Sequence, residues 1–464
     1  MMKRILSVVL VVGTLTQSGS AVAPQTTTTI TGSWAITVAD LGLLPGGSAS
    51  TARGINNLGT IVGMATDASF AIQRVLWDTS GNLVGTLPNY DPSSTAAPSS
   101  INDNGEVAGT EDISTTLHEG VYWANTTGVY VAFGLPALNG GSQSRITARA
   151  IDKNGWIAGS SQDGATGGMT AVLWNRATAP ISLGVPGEAF GVADANGTPH
   201  AVGVYATGSN TRGFLWRSGR LTDLGAVGGS AASSRATAVS ETGYIAGTSD
   251  GDTLPVRWRY DNTVSTSIAT LEQLPMPSGF VLPAVAAVNA DGDVVGSAWT
   301  SNFARTHAIL WRNGEAIDLG TWPGGASSKA FGINAVGQIV GEGDVDGSGR
   351  NHALLWTVSR GTTPPPNMAP SVSITSLSST SLKIGDALVV TGRFVDPDNG
   401  PWTYSFDWGD GSATPGSAAL AGSISASHVY TKVSPKRGYK VVLTVTDAVG
   451  ASGQVSSANI KVTK

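Results

Sequence analysis

The chain has 464 residues, 27 basic and 32 acidic, for a formal net charge of −5. Only 13% of residues are charged against 41% hydrophobic, and there is no cysteine, which excludes a disulfide framework, a thiolate zinc site and a thiol nucleophile. The acidic balance leaves no basic footprint for nucleic acid or an anionic membrane, while 61 glycines and 22 prolines predict a turn-rich, soluble chain long enough for two domains or more.

Residues 1–23 read as a secretory signal. Lys3 and Arg4 supply a positive start, Ile5–Val12 an apolar run, and Ser18 to Ala23 a small-residue cleavage region, with the cut expected between Ser20 and Ala23. The apolar run is too short to span a bilayer. The mature protein is therefore expected to be secreted, with periplasmic retention as the alternative, and to have no membrane span.

From 34 to 361 the chain repeats itself. Trp77, Trp123, Trp174, Trp216, Trp258, Trp311 and Trp356 each close an apolar run, at a mean spacing of about 46 residues. A turn phrase keeps the same phase, beginning at Ile55, Ile101, Ile151, Val239, Val288 and Ile333, with a degraded copy from Asp194. Asp-Leu-Gly recurs at Asp40, Asp223 and Asp318. Asn or Asp followed three residues later by Gly, between β-branched residues, is a turn signal joining two short strands. The stretch ending in Leu-Trp adds a third strand and the one ending in Leu-Gly a fourth. Four short strands in a unit of this length predict an all-β fold, a seven-bladed β-propeller. The first Asp-Leu-Gly strand precedes any complete repeat and the last Trp strand has none after it. The N-terminal strand Trp34–Gly42 is thus expected to complete the seventh blade and remove the open edges.

These phrases, with His307-Ala308-Ile309-Leu310-Trp311 and His352-Ala353-Leu354-Leu355-Trp356, resemble the HAF family of extracellular bacterial repeats. The resemblance implies secretion and brings no catalytic residues with it.

Residues 362–367 form a Pro-rich linker. Beyond it, 368–464 alternates as an immunoglobulin-like β-sandwich would, with the best strands at Ala387–Asp396, Tyr404–Asp410 and Lys440–Asp447. Phe406–Ser412, His428-Val429-Tyr430 and Leu443–Gly450 resemble the polycystic-kidney-disease (PKD) type of domain, with Trp408 where that family often has Phe. The resemblance implies an extracellular spacer or adhesion module.

No catalytic residues are assigned. His307 and His352 share one repeat phase and His118 nearly does, His428 belongs to the PKD phrase, and His200 lies in the degraded copy. In a four-stranded meander the two-to-three hairpins and the unit-to-unit loops share one face, and they are the long, variable connections where binding residues gather. Trp299 and Trp322 fall there, outside the Trp phase, and are the predicted ligand-binding pair, since exposed indole faces stack on sugar rings. Trp156, also out of phase, begins a second strand and is expected to pack. Asp344 and Asp346 begin an Asp-x-Asp-x-Ser-Gly phrase that reads as a hairpin, or as a calcium site without the usual terminal Glu. Asp396 and Asp398, with Asp410, are a second calcium candidate. No organic cofactor is expected.

The predicted function is non-catalytic: a monomeric binding or adhesion protein whose propeller loop face meets a glycan or cell-surface polymer. A polysaccharide hydrolase or lyase, and a scaffold for an extracellular protein, are the alternatives.

Overall fold

The computed structural model describes residues 26–31, 34–91, 95–112, 118–143, 145–264, 269–345, 347, 349–360, 369–396, 401–418 and 421–464. The predicted signal, the linker 362–367, Asp346 and Asp398 lie outside them. The described chain is all β apart from a single 3-10 turn at Leu138–Gly140. It divides into two compact units, one spanning Ile36–Val358, the other Thr26–Ala35 and Ser359–Lys464.

In the first unit, antiparallel four-stranded sheets follow one another along the chain. The first is Ser50–Ile55, Ile61–Thr66, Ile72–Trp77 and Leu83–Thr86, in sequence order across the sheet. The same meander recurs from Thr95, Ser234 and Phe280. The third and fourth copies differ from expectation: one continuous strand, Ile181–Ala195, is the last of one copy and the first of the next, fusing them into a seven-stranded sheet. In the seventh copy, Ser328–Ile333, Gln338–Asp344 and Asn351–Arg360 are joined by the N-terminal strand Trp34–Asp40.

The repeated phrases have physical work to do in this arrangement. Asn56 Oδ1 accepts the backbone N–H groups of Leu58 and Thr60 at 3.1 and 2.8 Å, closing the turn, and Gly59 takes the left-handed φ of 83° that the turn requires. The Asn56 amide then donates to Asn102 O of the next copy at 3.0 Å, as Asn102 does to Asp152 O at 2.8 Å and Asn289 to Asn334 O at 3.3 Å. Asn334 of the seventh copy donates to Asn56 O of the first at 3.1 Å. The phased Trp side chains stitch copies at another level. Trp123, Trp174, Trp258 and Trp311 each donate Nε1–H to a carbonyl closing the preceding copy: Pro88, Pro136, Leu224 and Pro275, at 2.7 to 2.9 Å. All four rings are buried.

The junction of the seventh copy with the first repeats that of the sixth with the seventh. Ala308 N donates to Ser328 Oγ at 2.9 Å, and Ala353 N to Ser50 Oγ at 2.9 Å. His307 Nδ1 lies 2.9 Å from Asp318 of its own fourth strand. His352 Nδ1 lies 2.8 Å from Asp40, which the N-terminal strand supplies in the equivalent place.

The second unit is a sandwich. Ser371–Leu377, Ala387–Val395 and Ser423–Val429 make one sheet, and Ala413–Ala418, Trp402–Asp407, Val442–Thr446 and Ser452–Ser456 the other. Phe394, Phe406, Trp408, Tyr430 and Leu443 fill its core. Trp408 stacks on Phe406 at 5.8 Å, and its Nε1–H donates to Thr414 Oγ1 at 2.9 Å. The larger ring is thus accommodated with its polar atom satisfied.

Candidate ligand-binding surfaces

The predicted tryptophan pair is not a pair. Trp299 stands on Val294–Thr300, just before the two-to-three hairpin of the sixth copy, and is 42% exposed. Among the described residues its indole N–H meets no acceptor, unlike those of Trp123, Trp174, Trp258 and Trp311. Trp322 is only 5% exposed, so its ring has no face to offer a sugar. The reason lies in its turn. Gly325 N donates to Trp322 O at 2.8 Å, as Gly47 N does to Leu44 O and Gly141 N to Leu138 O. Trp322 therefore occupies the apolar position that Leu44 and Leu138 fill elsewhere. Gly325 follows because a Cβ there would lie 1.7 Å from Asp344 O. Aligning the glycine pairs 46–47, 140–141 and 324–325, instead of the tryptophans, reveals this phase in the sequence.

Two aromatics missing from the predicted set stand beside Trp299 and in its equivalent. Phe303, at the tip of the same hairpin, is 60% exposed, and Phe70, at the tip of the first copy's hairpin, 71%. Both hold a left-handed backbone, with φ of 56° and 63°. For a bulky residue that conformation costs about 1–3 kcal/mol, and such outliers gather at contact sites.

The acidic candidates among the described residues, Asp344, Asp396 and Asp410, are engaged locally. Buried Asp344 accepts Gly347 N at 2.9 Å and Ala326 N at 3.3 Å, capping its hairpin. Asp396, also buried, accepts Trp402 Nε1–H at 2.7 Å. Asp410 accepts the Ser412 hydroxyl at 2.5 Å and faces His428 Nε2 at 2.8 Å. Burial works to raise the Asp410 pKa, but the Ser412 and His428 hydrogen bonds outweigh it and hold the carboxyl below its ordinary value. Ser412, His428 and Asp410 do not form a relay, because the one imidazole nitrogen near the hydroxyl faces the carboxylate. Among the described residues no group of three His, Asp or Glu side chains is arranged to hold a metal ion. Trp156 packs against the core between the third and fourth copies.

A further site arises from an irregularity repeated seven times. The first strand of every copy shifts register at an equivalent place, between Ala52/Gly54, Pro98/Ser100, Ala148/Ala150, Ala189/Gly191, Ala236/Ala238, Val285/Ala287 and Ala330/Gly332, and that of the sixth copy shifts once more, between Val281/Pro283. The extra residue of each bulge is Arg53, Ser99, Arg149, Phe190, Thr237, Ala286 or Phe331. Each is partly or fully exposed, although the residue before it is buried. Bulge residues of the seventh, first, second and third copies line one cavity of about 370 Å³. Within it the Arg53 guanidinium lies 4.6 Å from the Phe331 ring centroid. The signal in the sequence is the spacing of buried residues. Ala52 and Ile55, or Ala148 and Ile151, are three apart where an unbroken strand would place them two or four apart.

No curated protein matches the chain. Among solved structures it is similar to a prolyl endopeptidase studied for inter-domain dynamics in catalysis and specificity, with 12% identity and a TM-score of 0.42 over 76% of this chain and 55% of that one. The chain thus spans about half the length of that enzyme. It is also similar to a triple-arginine mutant of AofleA from Arthrobotrys oligospora, with 10% identity and a TM-score of 0.33 over 72% and 94% of the two chains. A third is a Ca2+-stabilized adhesin with which an Antarctic bacterium binds ice, with 12% identity and a TM-score of 0.18 over 93% and 94%. Residues 367–462 match the model of the PKD domain, and the C-terminal sandwich is accordingly a PKD domain.

Proposed function

We propose that the protein is an exported, non-catalytic binding protein. Its HAF-like copies close as a seven-bladed β-propeller that meets a glycan or surface polymer through its two-to-three hairpins, with the PKD domain as spacer or second contact. Export is supported by the residues of 1–23. Ring closure is supported by the Asn334–Asn56 bond and by the N-terminal Asp40 standing where Asp318 stands in the sixth copy. No helix among the described residues is long and apolar enough to cross a membrane.

The observation that carries the reading is the hairpin 299–303. It presents a half-exposed indole with a free N–H beside an exposed phenyl ring on a strained tip. An aromatic face contributes apolar area at little entropic cost, and the free N–H adds direction toward a hydroxyl. The test is an array of glycans and cell-wall polymers probed with the full mature chain, with and without calcium, scoring bound protein and released product. Trp299→Ala should weaken binding at least tenfold with an unchanged unfolding midpoint. Unaltered affinity removes this hairpin from the site, and released oligosaccharide replaces the reading with a hydrolase or lyase.

A further inference from the structure

We infer that the cavity among the bulged first strands is a separate anion-binding site centred on Arg53, taking the oxyanion group of a small ligand such as a sugar acid. The lining residues favour negative charge in three ways. The lining includes Arg53 and Arg149 and no Asp or Glu. Arg53 has no ion-pair or hydrogen-bond partner among the described residues, and its Nε is a buried donor left unsatisfied. A guanidinium carries five donors in a planar fork that matches a carboxylate, sulfate or phosphate edge, and leaving all of them unused in a half-buried place is unfavourable.

Arg149 supplies the second charge. It gives only Nε to Glu188, at 2.7 Å, and its terminal nitrogens bond to no described residue. Thr147 also donates to that Glu188 oxygen, at 2.6 Å, which fixes the carboxylate outside the lining. The Phe331 ring holds the Arg53 guanidinium from one side at 4.6 Å, which orients it without neutralising it. Ser99 and Thr110 spend their hydroxyls on the backbone of Ala148, so they shape the wall. A cavity of about 370 Å³ lies at the small end of the range for small-molecule sites.

The alternative is that Arg53 serves only to pack on Phe331, and the two differ in their outcomes. Calorimetric titration of the full mature chain with sulfate, phosphate, glucuronate and uncharged glucose, at constant low ionic strength, reads the site directly. One saturable site is expected for at least one of the three anions and none for glucose. Tighter binding of glucuronate than of the inorganic ions identifies a sugar acid, and the reverse order a free anion. Arg53→Gln should weaken the anion at least tenfold, and Arg149→Gln severalfold. Without anion, Arg53→Gln should unfold no earlier than the parent, because it removes an unpaired charge. Trp299→Ala should leave anion binding unchanged, which separates this site from the hairpin. Absence of a saturable anion site, or undiminished affinity in Arg53→Gln, overturns the inference. An earlier unfolding midpoint in Arg53→Gln together with silent titrations assigns Arg53 to packing alone.

Discussion

Asp152 stands where Asn56, Asn102, Asn289 and Asn334 stand in other copies. Its Oδ1 closes the same turn, accepting Asn154 N and Trp156 N at 2.9 Å each. Its Oδ2 is buried with no partner, where an asparagine would present an N–H2 group to the next copy. Burial is the main cause that pushes its pKa up to about 6, and the Asp194 carboxylate adds to it. Between roughly pH 4 and that value the folded chain keeps a proton that the unfolded chain has released. Stability therefore falls as pH rises through that window and stays lowered above it. Asp152→Asn removes the loss: the variant should gain about 1–3 kcal/mol at pH 7.5 and converge on the parent near pH 4. Denaturant titrations at the two pH values check this, and an equal gain at both would assign the effect to the amide hydrogen bond instead. His200 shows the opposite burial effect where the fourth copy meets the fifth: desolvation lowers its pKa to about 4, and it sits neutral at neutral pH, 2.7 Å from the Tyr260 hydroxyl.

At the scale of the strand and its turn, the recurring side chains are junction pieces. Trp123, Trp174, Trp258 and Trp311 each fill the space between two copies and satisfy a carbonyl of the preceding one. Trp258→Phe keeps most of the apolar area but orphans Leu224 O, and should cost about 1–3 kcal/mol, read as an earlier unfolding midpoint. Trp216 has no such carbonyl bond among those described, so Trp216→Phe should cost less. Equal losses would show that ring volume alone matters. The periodicity of tryptophans, turns and Asp-Leu-Gly made the four-stranded copies legible in the sequence. So did the placement of Trp34–Asp40 in the last of them, because edge pairing leaves a strand only one place to go. Exposure at single positions was not legible. Trp322 and Trp299 look alike when judged by phase against the other tryptophans, and only the Gly324-Gly325 turn separates them. The bulges were hidden for a related reason: one extra residue changes which side chain faces outward while leaving the strand pattern almost unaltered. The loop acids kept two readings in the sequence because a carboxylate that caps its own turn has the same spacing as one that awaits a cation.

Across the whole molecule, repetition accounts for the low charge and high glycine content. Each copy buries its two faces against neighbours and exposes mainly hairpins, so polar function is left to tips and to the bulge residues. Bulges in one phase bring side chains of the seventh, first, second and third copies to a common cavity, and the hairpins of the first and sixth copies carry the exposed phenyl rings. The cavity depends on the seventh copy meeting the first. Asn57 Oδ1 accepts Ala335 N at 2.8 Å, 278 residues apart in sequence, and the absence of cysteine makes the junction easy to mark. The measurement is cross-linking of the Asn57→Cys, Ala335→Cys double variant with a short bismaleimide at high dilution, read by mass spectrometry of the joined peptides. A closed ring predicts an efficient link within single chains. Cysteines that are each capped separately, or joined only between molecules, would contradict it.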